Sequence, residues 1–192
     1  MSMTPDEWTA EVRHRITVNE GCRPTLYLDS VGIPTIGIGF NVKRQDAQSA
    51  LFAAGCPNPL AVMNGTASLT QPMIDALFSY SLRPILSEAR ASLPVGAFDA
   101  LSDARRFVIC DMIFNLGSEG WMGFAATRQT IGRAQSMVKS NPATAHTMFG
   151  QAADRMTNSA WFTQVGNRAK RNVAMMRTSG FCSPTGDGSD IL

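Results

Sequence analysis

The spacing of apolar residues changes several times along the chain, and each change marks an element. Trp8, Val12 and Ile16 recur every four residues, which gives a helix one apolar face. Thr4-Pro5-Asp6-Glu7 supplies its start: Thr4 can cap, Pro5 suits the first helical position and Glu7 completes a capping box. Gly21 is a natural stop, so the first helix is predicted over about Pro5–Asn19. The period then shortens. Thr25-Leu26-Tyr27-Leu28 and Pro34-Thr35-Ile36-Gly37-Ile38 read as strands flanking the turn signal Asp29-Ser30-Val31-Gly32, a hairpin.

The helical period returns with a short helix over about Arg44–Ala54, ended by Gly55 and Pro57. Thr70 can cap a long helix from Gln71, in which Pro84 predicts a kink or break near Leu82-Arg83, because an interior proline costs about 3 kcal/mol. Asp103–Leu116 is apolar on nearly all sides. That predicts a buried central helix, with Gly117 ending it. Further helices are predicted around Ala126–Val138, Pro142–Met156 and Gly166–Arg177, and the Gly- and Ser-rich end is expected to be a flexible tail, 183–192. The fold class is therefore α+β and mostly helical, with a small hairpin lobe and a larger helical lobe. As one domain over 1–192, the small lobe covers about 20–70 and a connecting helix about 71–92. The large lobe covers about 93–181 together with the N-terminal helix 5–19.

Composition narrows the function classes. With 192 residues, 44% of them hydrophobic, the chain can bury a core. A net charge of +2 without Lys/Arg clusters argues against nucleic acid. No apolar run reaches the roughly 20 residues that span a membrane, and the N-terminus has neither the basic start nor the apolar stretch of a secretory signal. Cys22, Cys56, Cys110 and Cys182 show no C-x-x-C spacing, and free thiols made in a reducing compartment are expected.

Much familiar chemistry is missing. There is no H-E-x-x-H and no G-x-S-x-G, and His14 and His146 read as solvated helix residues, so a Ser-His-Asp or Cys-His enzyme is poorly supported. Val42 stands where a third glycine would complete a nucleotide loop after Gly37 and Gly39, so those glycines are read as allowing a sharp bend or a close ligand approach. Two acids remain of interest. Glu20 ends the first helix, where the negative end of the dipole favours the protonated form, as a proton donor requires. It equally fits an exposed residue at a frayed end. Asp29 sits at the hairpin tip, where Asp commonly bonds its own backbone. Together, a helix end and a hairpin turn joined by one strand can face each other. Carboxyls about 6.5–9.5 Å apart would leave room for a water and give glycoside hydrolysis with inversion. Thr35, on the returning strand, could orient that water or simply be a β-favouring residue.

These residues resemble a family. Glu20-Gly21-Cys22-Arg23 through Tyr27, Asp29, Gly32 and Thr35-Ile36-Gly37-Ile38-Gly39 are similar to the catalytic signature of the T-even phage lysozymes, glycoside hydrolase family 24. Two further blocks match in order. The first is Arg105-Arg106 through Met112-Ile113-Phe114-Asn115-Leu116-Gly117, with Gly120 and Gly123-Phe124. The second is Trp161-Phe162, then Asn167-Arg168-Ala169-Lys170-Arg171 and Arg177-Thr178. The resemblance implies Glu20 as general acid, Asp29 as base or electrostatic partner of the attacking water, and Thr35 as the residue holding that water. It also implies that Arg168 approaches Glu20, which opposes a cation's lowering of the Glu20 pKa to the raising effect of burial and the helix end. Phe114, Asn115 and Gly39 would line or support the substrate site.

The implied reaction is cleavage of the β-1,4 bond between N-acetylmuramic acid and N-acetylglucosamine in bacterial peptidoglycan, with no cofactor and no metal. The implied biology is an endolysin: a monomer made in the cytoplasm without a signal peptide, reaching the wall through a holin-like protein to lyse the host. A non-catalytic wall-binding or virion protein, a lytic transglycosylase and a chitinase remain open alternatives. Three departures from the family stand out. Phe40 and Ser81 replace both halves of a His–Asp salt bridge, a paired loss that leaves no orphan charge. Pro84 puts a straight connecting helix in doubt. Extra length falls around 56–69 and 138–154 and at the tail.

Overall fold

The computed structural model describes every residue except Met1, Ser30 and Val31. Helix α1 spans Pro5–Glu20, followed by strands β1 Arg23–Leu28, β2 Pro34–Gly37 and β3 Phe40–Asn41, helices α2 Ala47–Ala53 and α3 Pro59–Met63, and the long helix α4 Gln71–Ala91. Then come α5 Asp103–Gly123, α6 Ala125–Met137, α7 Pro142–Thr157, α8 Ala160–Val165 and α9 Asn167–Thr178. The three strands form one antiparallel sheet in the order β1-β2-β3. The α+β, mostly helical expectation is borne out.

The chain divides into two compact units, Thr9–Pro84 on one hand and Met1–Trp8 with Ile85–Leu192 on the other. The division falls inside α1 and α4, whereas the sequence assigns all of the first helix to the large lobe. Side-chain ties explain the difference. The Trp8 indole N–H donates to the Asp103 carbonyl at 2.9 Å and the Met3 N–H to Asp103 Oδ2 at 2.8 Å, which holds the start of α1 in the larger unit. Arg13 farther along α1 is ion-paired with Asp75 of α4 at 3.0 Å, within the sheet-containing unit.

In the Thr9–Pro84 unit the local signals hold. Thr4 and Glu7, just before it, form the expected reciprocal capping box: the Thr4 N–H donates to Glu7 Oε2 at 2.8 Å and the Glu7 N–H to Thr4 Oγ1 at 3.3 Å. Val12 and Ile16 are fully enclosed. Gly37-Ile38-Gly39 forms the tight turn between β2 and β3, with Ile36 paired to Phe40 and φ of +63° and +68° at the two glycines. A left-handed backbone at both positions explains the Gly-x-Gly spacing without any phosphate. The expected short helix is confined to Ala47–Ala53, and α3, capped by the Asn58 side chain on the Ala61 N–H, occupies part of the stretch that the family signature does not cover.

The break expected at Pro84 is absent: α4 runs through it as one helix. Pro84 is exposed, so the Tyr80 carbonyl that loses its donor is not sealed in a dry core, and the stripe Ile74, Leu77, Phe78, Leu82 and Ala89 is buried along the same helix. Burial of about 1.5–3 kcal/mol per large apolar side chain outweighs one missing bond. Phe40 is buried and carries the Arg44 guanidinium over its ring at 5.3 Å, so an apolar and stacking contact stands at that position. The Ser81 hydroxyl is buried with no hydrogen-bond partner among the described residues. Ser81→Ala removes that unsatisfied group and improves helix propensity, so it is expected to stabilise the protein by about 0.5–2 kcal/mol. At this chain length that is a rise of about 1–8 °C in melting temperature, read by calorimetry. A lower melting temperature would show that the hydroxyl is satisfied in solution.

The larger unit is built around α5. Phe107, Val108, Ile109, Cys110, Met112 and Ile113 are all buried, as the all-round apolar pattern predicts. Ser102 caps the helix by accepting from the Arg105 N–H. Gly117 does end the first segment: its φ of 71° and ψ of 172° are non-helical, and a second helical segment follows, anchored by the fully buried Trp121, whose indole N–H donates to Ser92 Oγ at 2.9 Å. Helix α7 packs on both α6 and α9. The last turn of α9 is closed by Arg105, which donates to the carbonyls of Met176 at 2.8 Å and Arg177 at 3.1 Å. Burial lowers the Arg105 pKa to about 10. The tail, expected to be flexible, lies against α9. Arg171 donates to the Gly186 carbonyl at 2.7 Å, Ser183 N–H to Asp190 Oδ2 at 2.7 Å, and Gly188 sits where an added Cβ would meet Ala174 and Arg171 at 3.0 Å. Small residues there allow the tail to approach α9 closely rather than loosening it. All four cysteines are free thiols, as expected, with only Cys22 exposed. No helix among the described residues is long and apolar enough to cross a membrane.

Candidate functional site

Glu20 is the last residue of α1 and is half-buried. Gly21 follows with φ of +77°, and its N–H still donates to the Thr17 carbonyl at 2.8 Å, so the helix is closed to its end and turns abruptly into β1. That turn holds the acid at the carbonyl end of the helix, where the dipole opposes a negative charge.

Asp29 follows β1 and organises its own loop. Its N–H donates to the Ile33 carbonyl at 3.0 Å, its carbonyl accepts from Gly32 at 3.1 Å, and its Oδ1 accepts from the Ile33 N–H at 2.8 Å. This is the backbone-bonding habit of Asp in turns. It also fixes the carboxylate. Ser30 and Val31 of the expected turn lie outside the described residues. Thr35 is buried, and its hydroxyl donates to the Ile33 carbonyl at 2.9 Å. Asp29 and Thr35 therefore grip the same residue from its two sides, one on the N–H and the other on the C=O of Ile33. With its proton directed at Ile33, the Thr35 oxygen can only accept from any further partner.

Tyr27 ties Glu20 to this pair. It lies opposite Thr35 in the β1–β2 ladder. Its phenol pKa is raised, first by burial, with the negative charges of Glu20 and Asp29 adding to the rise and Arg23, stacked over the ring at 4.7 Å, opposing it. Both acids thus lie within electrostatic range of one ring. Tyr27 was legible only as part of the family signature; its strand position opposite Thr35 is the signal that assigns it to the site. Gly39 lies in the β2–β3 turn of the same unit.

The other candidates belong to the larger unit. Arg168, near the start of α9, donates from Nε and Nη2 to the two oxygens of Asp111, each at 2.9 Å. Asn172, one turn later, adds a third donor to Asp111 at 2.7 Å. Asp111 is completely enclosed and was not singled out by the sequence. Asn115 is exposed, and its Oδ1 accepts from the Trp161 indole at 2.9 Å, while Phe114 is half-buried. Beside them lies a groove of about 590 Å³ lined by Gly120, Phe124, Thr127, Arg155 and Trp161, with the Phe124 and Trp161 rings edge to face at 6.1 Å. An aromatic wall with hydrogen-bonding groups along it suits a polar polymer with apolar faces. His14 and His146 are both exposed, as expected of solvated helix residues.

No protein-family model matches the chain. The chain is similar to the probable T4-type lysozyme 1 of Dictyostelium discoideum, with 22% identity over 175 residues, covering 88% of this chain and 95% of that protein. The likeness runs through both units, and the architecture is an α+β, lysozyme-like fold.

Proposed function

We propose that the protein is a muramidase, a peptidoglycan hydrolase of the T-even phage lysozyme type (glycoside hydrolase family 24) acting as an endolysin. The observation that carries this reading is the convergence of Asp29 and Thr35 on Ile33, beside a Tyr27 that feels the charges of both Glu20 and Asp29. The relative similar in sequence supports the same direction.

In this reading the protonated Glu20 gives its proton to the oxygen of the leaving N-acetylglucosamine as the C1–O bond of N-acetylmuramic acid breaks. A water donates one hydrogen to the Asp29 carboxylate and the other to the accepting Thr35 oxygen. Its lone pair is then directed at C1 from the opposite face. Asp29 takes up the proton released as the new C–O bond forms, and exchange with solvent restores both acids. Arg168 orients Glu20, while Phe114, Asn115 and Gly39 contact the glycan. The biological role is host-cell lysis, with a holin-like protein giving access to the wall.

Digestion of purified peptidoglycan tests the reading. The expected products carry a reducing N-acetylmuramic acid end, formed first as the α-anomer because a water and not a carboxylate attacks. A 1,6-anhydro end would make the enzyme a transglycosylase, a β-anomer would reject inversion, and preference for chitin would reject the substrate.

A further inference from the structure

Helix α6 carries two arginines, Arg128 and Arg133, and no acid. Both line a pocket of about 430 Å³ that α6 shares with the segment after α4, where Ser92 and Pro94 lie. The pocket belongs wholly to the larger unit, and none of its lining residues is among the proposed catalytic groups. Gly132 shapes it. An added Cβ would stand 2.8 Å from the Pro94 ring, so the glycine lets that segment seat directly on α6.

Arg128 is half-buried and held in one orientation by main-chain groups alone. Its Nη1 donates to the Ser92 carbonyl and its Nη2 to the Met122 carbonyl, each at 3.0 Å. Ser92 is itself fixed, because its hydroxyl donates to the Ala89 carbonyl and accepts from the buried Trp121 indole, each at 2.9 Å. The two carbonyls orient the guanidinium without cancelling its charge, and each Nη keeps a second N–H. The Arg128 Nε–H is buried with no hydrogen-bond partner among the described residues. Neither Arg128 nor Arg133 forms an ion pair among the described residues, and no acid lines the pocket. A partly buried cation left without a counter-charge is costly, and a guanidinium already fixed in place binds an anion with little further ordering.

We propose that this pocket binds a phosphate group, as the free ion or as a monoester on a larger molecule, between the guanidinium groups of Arg128 and Arg133. Charge favours phosphate over carboxylate. Two uncompensated guanidiniums match a dianion, and a phosphate monoester carries about −1.5 to −2 at pH 7. Its oxygens also suit the planar fork of an arginine, which a single point charge would not exploit.

The test is calorimetric titration of the full chain with inorganic phosphate, glycerol phosphate and acetate, with ionic strength held constant by sodium chloride. Wild type is expected to bind phosphate at one saturable site and acetate at least about tenfold more weakly. Equal or tighter binding of glycerol phosphate assigns the site to a monoester, and binding of inorganic phosphate alone assigns it to the free ion. Arg133→Gln changes an exposed side chain. It is expected to weaken phosphate binding about 10–100-fold, the loss of hydrogen bonds to a charged group, with the melting temperature of the phosphate-free protein unchanged. Arg128→Lys keeps the charge and loses the fork, and is expected to weaken binding about tenfold. Should Arg128→Lys not fold, Arg133→Gln decides alone. Wild-type affinity in Arg133→Gln, acetate bound as tightly as phosphate, or no saturable binding of phosphate by the wild type each overturns the proposal.

Discussion

Glu20→Gln is expected to lower kcat for peptidoglycan about 10²–10⁴-fold, the range attributed to a positioned general acid, without loss of stability. The glutamine keeps the length and hydrogen-bonding shape of the side chain and cannot give up a proton to a leaving oxygen. On the stability side the sign is the opposite of a core mutation. Glu20 ends α1, where the helix dipole presents its negative pole. An ionised carboxylate there is disfavoured by about 0.3–1 kcal/mol, so the neutral amide should leave the melting temperature equal or slightly higher. Loss of turbidity clearing together with an unchanged or raised melting temperature separates catalysis from folding. Equal clearing by wild type and variant would falsify the role of Glu20.

That combination also explains why Glu20 is hard to interpret from sequence alone. As a single residue it is an acid at the wrong end of a helix, a small local conflict with no evident gain. Such conflicts are expected where function overrides stability. Asp29 is the reverse case. Its turn-forming bonds to Ile33 are what any Asp in that position would make, so its local chemistry hides its candidate role. Only the second grip on Ile33, from Thr35, marks the loop as more than a turn.

The elements legible in the sequence are those written in neighbouring residues. The Thr4–Glu7 box, the Gly117 stop and the Gly37-Ile38-Gly39 turn all act within a few positions. The features that escaped depend on distant partners. Strand β3 is two residues long and exists because Thr35 and Ile36 offer an edge to pair with. Helices α3 and α8 are five and six residues, too short to hold without tertiary support. Pro84 looked like a breaker because the burial on α4 that outweighs it comes from other elements. Asp111 and Arg168 are separated by 57 positions, and nothing near either residue announces the other. The same holds for the tail, whose Gly and Ser content signals looseness locally while the α9 surface it docks on is remote in sequence.

The Arg168–Asp111 pair should also separate stability from activity when it is dismantled in steps. Asp111→Ala leaves a guanidinium with 10% side-chain exposure facing a cavity, and breaking a buried pair on one side is expected to destabilise by about 3–5 kcal/mol. Arg168→Met takes the two-pronged fork away from the enclosed carboxylate and is expected to destabilise to a similar degree. Replacing both, with Asp111→Leu and Arg168→Met, removes the uncompensated charge, fills most of the volume and should recover all but about 1–2 kcal/mol. Asn172 then loses an acceptor, which accounts for part of the remainder. Activity should not follow stability. The double variant is expected to fold like the wild type in urea and still clear peptidoglycan poorly, because the hydrogen-bonding group proposed to orient Glu20 is gone. If clearing returned with stability, the pair would be a packing device and Arg168 would have no part in the reaction. If stability failed to return, the fork would be holding α5 and α9 in a register that apolar side chains cannot reproduce.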